Sequence, residues 1–159
     1  MGEKRYPWLI CLAAAAVSPA FARPAECGMP DISRASALGH FLILRAVDVV
    51  KRAGGPDEGL AALVAPDANF SLGGGDVGRP LGTGLNGARA LARAMRADAY
   101  RFFGWNYMDM PADPCSRQKV EIEFIDNQGK HVSRVEFTFE AGRVVGAEGW
   151  QRSFETGRL

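Results

Sequence analysis

The chain has 159 residues, with 19 Lys and Arg against 18 Asp and Glu and a formal net charge of +1. Near-neutrality, with the arginines scattered, leaves nothing to gather phosphates and speaks against nucleic-acid binding. Two histidines and three cysteines without ligand spacing speak equally against a structural zinc site, and no metal or other cofactor is expected.

In chain order, Met1 to Arg5 is a short charged head, Trp8 to Val17 an unbroken apolar run, and Ala20-Phe21-Ala22 a small-x-small cleavage site. This is the pattern of an export signal over residues 1–22, with the mature chain starting at Arg23 and working in the periplasm or outside the cell. The run is about half of the ~20 residues that a bilayer span needs, and nothing later is as long and apolar, so no membrane insertion is expected. Cleavage removes Glu3, Lys4 and Arg5, which balances the remaining charges, and also Cys11. Cys27 and Cys115 remain, a pair that in an oxidising compartment suggests a disulfide, with two free thiols as the alternative. No Leu-Ala-Gly lipobox precedes Cys11 or Cys27, so no lipid anchor is expected. The length that is left suits one core, divided as an N-terminal segment (23–32), a domain (33–153) and a C-terminal tail (154–159).

Ser33 is placed to cap a long first helix in which Leu38, Leu42, Ala46, Val49 and Val50 recur at helical spacing. Gly54-Gly55 closes it, Pro56-Asp57 opens a short second helix through Leu60 and Leu63, and Pro66 stops that one. Ala68 to Leu72 reads as a strand entering the Gly73-Gly74-Gly75 loop, and a third helix follows over Leu85 to Ala97. The period then becomes two-fold. Tyr100 to Met110 is a strand ended by Pro111 and Pro114, and a meander of Lys119–Ile125, His131–Phe139 and Val144–Gln151 turns at Asp126-Asn127-Gln128-Gly129 and Glu140-Ala141-Gly142-Arg143. Helices first and strands last predict an α+β fold, a curved antiparallel sheet wrapped over N-terminal helices.

Two stretches carry a resemblance. Leu63-Val64-Ala65-Pro66-Asp67-Ala68-Asn69-Phe70 is similar to the helix-to-strand junction, and Phe137-Thr138-Phe139-Glu140-Ala141-Gly142-Arg143-Val144-Val145 to the final hairpin, of the nuclear transport factor 2-like (cystatin-like, SnoaL/ketosteroid-isomerase-like) superfamily. The likeness covers roughly Leu38 to Trp150. It implies a cone with a pocket between the first helix and the concave sheet, and says nothing of substrate, since one fold hosts many functions. Isomerase members use an aspartate base with a Tyr/Asp oxyanion pair. Here the helix tyrosine falls on Asp48, the base on Leu72 and the later aspartate on Val135. Leucine cannot take a proton and valine cannot donate to an enolate, so the resemblance implies that isomerase chemistry of that design is missing and no catalytic residue is assigned.

Winding the first helix at about 100° per residue gathers Arg34, Arg45, Asp48 and Arg52 on one side. Either this is a solvated face on which Asp48 pairs with Arg45 and Arg52, or Asp48 stands at the pocket wall with Arg45 offering a fork to a carboxylate or enolate. In the first long strand Arg101, Phe103, Trp105 and Tyr107 share one face, and Tyr100, Phe102, Asn106 and Met108 the other; one face packs the core, and the other is left to a pocket or a dimer contact. The next hairpin is expected to pair Asp126 with Lys130, which sets Ile122 against Arg134 and Glu121 against Val135. Glu121 and Glu123 read as a wet face more readily than as an acid/base pair. His40 and His131 show no nucleophile partner. Gly73 to Gly78 and Gly82 to Gly87 both satisfy GxGxxG, but neither sits between a strand and a helix of a βαβ unit, so no dinucleotide is expected.

The sequence-level expectation is an exported protein binding a small apolar molecule, with Phe41, Arg45, Asp48, Leu72, Phe103, Trp105, Val135, Phe137 and Trp150 as ligand contacts. A cyclase-like or isomerase-like enzyme using Asp48 with Arg45, and a module that forms a homodimer through its sheet, are the alternatives.

Overall fold

The computed structural model describes residues 27–74, 78–105, 110–126 and 131–153, with the backbone alone for 103–105. The segment expected to be an export signal (residues 1–22), residues 23–26, Asn106 to Asp109, the turn after Asp126 and the tail lie outside the described residues. Helices α1 (Ala35–Arg52), α2 (Asp57–Ala61) and α3 (Gly84–Met95) accompany strands β1 (Val64–Gly73), β2 (Pro80–Thr83), β3 (Ala97–Trp105), β4 (Gln118–Asp126), β5 (His131–Glu140) and β6 (Arg143–Ser153). The six strands form one sheet in the order β2-β1-β6-β5-β4-β3. This is the α+β arrangement expected from the chain order. Every neighbouring pair is antiparallel except β1 and β6, which run parallel because no hairpin joins them and the whole of α3 and four strands intervene.

α1 begins one residue later than Ser33 implied. Arg34, with φ −123° and ψ 131°, holds the cap position without a side-chain bond, and its carbonyl accepts the first-turn N–H of Leu38 at 3.0 Å. The predicted apolar stripe is buried at Leu38, Leu42, Ala46 and Val49, joined by Ile43 and Val47. It meets the inner sheet face, where Val120, Ile122, Phe124, Val135, Phe137 and Phe139 alternate with polar residues along β4 and β5, in one continuous core. Lys51 and Arg52 in the last turn complement the negative end of the helix.

The disulfide is formed. Cys27 and Cys115 are bonded across 88 residues of sequence with their Cα atoms 5.7 Å apart. Beside it, Gly28 N–H donates to the Ala141 carbonyl at 3.0 Å and Ala141 N–H donates to Cys115 at 2.9 Å. Residues 27 to 32 are thereby pinned to the β5–β6 turn, where Ala141 (φ 50°) and Gly142 (φ 79°) both take the left-handed conformations that a two-residue hairpin requires.

The second glycine pattern serves packing. Gly84 has φ 53°, and a Cβ there would lie 2.6 Å from the Pro66 carbonyl oxygen; one at Gly87 would lie 2.5 Å from Gly82 O and 2.6 Å from the Phe70 ring. Alanine is a better helix former than glycine by about 1 kcal/mol, but the neighbours of Gly87 are backbone and a buried ring, and overpacking of that kind costs about 3 kcal/mol. Gly87→Ala is therefore expected to lower the melting temperature, whereas Gly54→Ala, with nothing within 4 Å, leaves it in place. A Gly87→Ala protein that melts no lower than the parent would refute this packing.

Candidate functional site

The positions onto which the resemblance carries the isomerase roles are Asp48, Leu72 and Val135. Leu72 is 7% exposed and Val135 is fully buried, both inside the apolar core. The Asp48 side chain is 46% exposed and forms a 3.9 Å ion pair with Arg52, one turn on. That is a helix-surface pair, worth about 0.2–0.5 kcal/mol.

The nine expected ligand contacts do not converge on one cavity. Leu72, Val135 and Phe137 are core residues. Phe41, Arg45 and Asp48 lie on the flank of α1 that faces the Cys27–Gly28 segment: the Arg45 guanidinium sits 5.4 Å from the Phe41 ring centroid, and its Nη2 is 3.9 Å from the Cβ position of Gly28. At 100° per residue, Lys51 lies about 120° around the helix from Arg45. Its ammonium lies 5.7 Å from the Tyr100 ring centroid, which places β3 on that side. Trp150 is opposite Arg134 on the outer face of the sheet, 45% exposed. The Phe103 and Trp105 side chains lie outside the described residues.

β3 departs from strict alternation. Tyr100 pairs with Phe124 and Phe102 with Ile122, so both occupy the inner face, while Arg101 pairs with Glu123 on the outer one. A bulge between Phe102 and Gly104 then sets Gly104 opposite Glu121 and Trp105 opposite Val120. The insertion moves position 105 from the face of Arg101 to that of Phe102, contrary to the two-fold reading. Tyr100 and Phe102 are 41% and 46% exposed although they stand on the inner face, and Leu44 of α1 is 43% exposed. This uncovered aromatic edge was missed. Its only sequence signal, aromatics on both faces, cannot tell which face the helix leaves bare.

The outer face is laced with ion pairs. Arg101 is bonded to Glu123, Arg134 to Glu121 and Lys119 to Glu136. The hydrogen bond to Glu121 raises the Arg134 pKa above the ordinary arginine value, with the charges of Glu121 and Glu123 adding to it against some desolvation. Glu121 and Glu123 are thus structural counter-ions. The register that brings this about pairs Ile122 with Val135, Glu121 with Glu136 and Glu123 with Arg134, one residue away from the expected pairing. A one-residue slip exchanges the faces, and the observed register is the one that gathers Val120, Ile122 and Phe124 with Phe137 and Val135 on the buried side. A cleft of about 350 Å³ on this face is lined by Arg101, Glu123, Arg134, Trp150 and Arg152 among others.

His131 does have a hydroxyl neighbour, contrary to expectation: its Nδ1 is 3.0 Å from Ser153 Oγ. Asp126 accepts a bond from the backbone N–H of His131 at 3.2 Å, a contact that orients the hairpin. Among the described residues no group of three or more His, Cys, Asp or Glu could hold a metal.

The least balanced electrostatics lie at Arg45 and Arg143. Arg143 Nη2 donates to the carbonyls of Ala61 at 2.8 Å and Val64 at 2.6 Å, yet its Nε is buried without a partner, as is Arg45 Nε. Burial first, and the neighbouring Arg143 charge second, lower the Arg45 pKa below the ordinary arginine value, against a smaller upward pull from Asp48. A buried donor left unpaired costs about 1–3 kcal/mol, more when charged. Arg143 also lines an open cleft of about 880 Å³ together with Ala65, Pro66, Arg117, Ala141 and Val145. Beside this cleft β1 and β6 lose register between Val64 and Asn69.

No family model and no curated protein matches the chain. Solved structures similar to it include an NTF2-like protein of unknown function from Methylobacillus flagellatus KT, at 12% identity over 80% of this chain and 98% of that one, with a TM-score of 0.49. Others are an NTF2-like protein of unknown function from Shewanella baltica OS155, at 12% identity over 72% and 94% with a TM-score of 0.47, and a phenazine biosynthesis-related protein from Pseudomonas aeruginosa, at 11% over 79% and 82% with a TM-score of 0.42. At these identities and scores none bears on ligand or chemistry; the fold class is carried by the chain's own order of helices and sheet.

Proposed function

We propose that the protein is exported and binds a small apolar molecule, without ketosteroid-isomerase-type proton transfer. The observation that supports this reading is the uncovered inner edge of β3: Tyr100 and Phe102 stand 41% and 46% exposed on a face that at Ile122 and Phe124 is almost completely buried. Exposed aromatics beside a helix, with the Lys51 ammonium near one ring, suit a ligand with an apolar body. Export is supported by the N-terminal pattern and by the disulfide, a bond that persists in oxidising compartments. Among the described residues no helix is long and apolar enough to cross a membrane.

Two measurements test the proposal. Protein purified from the periplasm of its own host is expected to begin at Arg23 and to carry a bound small molecule in native mass spectrometry. After extraction, the neutral probe N-phenyl-1-naphthylamine is expected to bind saturably, at least tenfold more weakly in the Tyr100→Ala/Phe102→Ala variant. No retained molecule, together with probe binding indifferent to the double substitution, would end this reading.

A second reading, a module that dimerises through the sheet, is favoured by the outer face, where Trp150 is 45% exposed among charges already paired within the chain. Sedimentation of the parent and of Trp150→Ala at matched concentration separates the two: a dimer dissociated by the substitution supports the module, and a parent that sediments as a monomer removes it.

A further inference from the structure

We infer that Arg45 and Arg143 together form a receptor for an oxyanion, a carboxylate or phosphate group of a small ligand. The site lies on the flank of α1 that faces the Cys27–Gly28 segment, away from the aromatic edge of β3, and stands independently of the function proposed above.

Three observations support it. First, both guanidinium groups have a buried Nε–H with no acceptor, and two of the nearby carboxylates are engaged elsewhere, Asp48 with Arg52 at 3.9 Å and Glu140 with Arg117 at 2.9 Å, while Asp67 shares the cleft with Arg143. Second, both arginines border the Gly28 segment: the Cβ position of Gly28 is 3.9 Å from Arg45 Nη2 and 3.5 Å from the carbonyl oxygen of Ala141, two residues before Arg143, and the charge of Arg143 acts on Arg45. Like charges held together in a partly desolvated place are the arrangement that an anion relieves, and the planar fork of arginine suits the geometry of carboxylate and phosphate oxygens.

Third, the surroundings are fixed and narrow. Arg45 is braced over the Phe41 ring, and Arg143 is anchored to two backbone carbonyls. The facing segment is tied down by the disulfide and by Gly28 N–H to Ala141 O. Glycine at position 28 keeps that approach thin: a Cβ there would stand 3.5 Å from Ala141 O and 3.9 Å from Arg45 Nη2. The 880 Å³ cleft that Arg143 lines has Ala65, Pro66 and Val145 among its walls beside Asp67 and Glu140, and its apolar part gives the remainder of such a ligand a place to lie.

The test is calorimetric titration of the full mature protein with inorganic phosphate, acetate and decanoate, each in a chloride background at constant ionic strength. At least one is expected to bind saturably, at least tenfold more weakly in Arg45→Gln and detectably more weakly in Arg45→Lys, which keeps the charge but loses the fork. Arg93→Gln, which removes a remote exposed arginine, is expected to leave binding unchanged. Phosphate bound without decanoate identifies a phosphate ligand, and decanoate bound without phosphate a carboxylate amphiphile; either result supports the site. Among the described residues the Arg45 side chain holds no backbone carbonyl, unlike that of Arg143, so the result does not depend on Arg143 variants remaining folded. Absence of saturable binding for all three anions, or equal binding by the parent and Arg45→Gln, would overturn the inference. Binding of N-phenyl-1-naphthylamine unchanged in Arg45→Gln keeps this outcome separate from that of the β3 edge.

Discussion

Phe137→Ala is expected to lower the free energy of unfolding by about 3–5 kcal/mol, the range for removing a large aromatic from a packed core. Phe137 is fully buried, with its ring centroid 6.1 Å from that of Phe124 at a 59° tilt. It pairs across the sheet with Val120 on one side and Ala147 on the other. Strands on both sides hold these neighbours, so the vacated space cannot collapse and the full cavity cost applies. Since a domain of this size has about 5–15 kcal/mol of stability in total, the variant stands near the threshold of folding. Urea denaturation of parent and variant measures the difference. A loss below 1 kcal/mol, accompanied by stronger binding of a small apolar probe, would mean that Phe137 lines a hollow, the role its sequence position first implied.

The second large effect is that of the disulfide. For a loop of 88 residues the chain-entropy estimate is about 4–5 kcal/mol, which at roughly 3 °C per kcal/mol corresponds to a fall of about 15 °C in Tm. The Cys27→Ser/Cys115→Ser protein, or the parent under reductant, is expected to show this fall. Met29 and Ile32, packed against the core beside the tether, are the first groups that release would expose. A melting temperature indifferent to reductant would mean that the thiols do not pair in solution.

Hydrophobic spacing was enough to identify α1 and the two faces of β4, because Leu38, Leu42 and Ala46 recur on one side of the helix and Glu121 and Glu123 alternate with Val120 and Ile122, but β5 was set against β4 one residue out of register. It failed where position depends on backbone irregularity. β2 went unseen because Pro80-Leu81-Gly82-Thr83 reads as a breaker; proline is tolerated there since the strand lies at the sheet edge. β1 begins at Val64 although Pro66 cannot donate to a ladder, and the register gap after Val64 is the structural answer to that proline. The bulge beside Phe102 exchanged the faces of β3, and a loop one residue different exchanged the partners of Glu121 and Glu123. Neither leaves a pattern in composition or period.

The candidate site was legible in part. Arg45 was singled out from its place on α1, but Arg143 stood in a hairpin turn, where an arginine ordinarily reads as solvent-facing. Its proximity to Arg45 arises from the tertiary path of the N-terminal segment over the β5–β6 turn, which no local rule supplies.

The position of β6 has a consequence for biogenesis. β6, the last of the described strands, lies in the interior of the sheet, between β1 and β5, so β1 gains its parallel neighbour only after the four strands between them have been made. Loss of the C-terminal segment would open a gap in the middle of the sheet instead of shaving its margin. Proteolytic trimming that reaches back to Arg143 is expected to abolish the native fold outright, while nicks in the turn after Asp126, with both flanking strands still paired, leave it assembled.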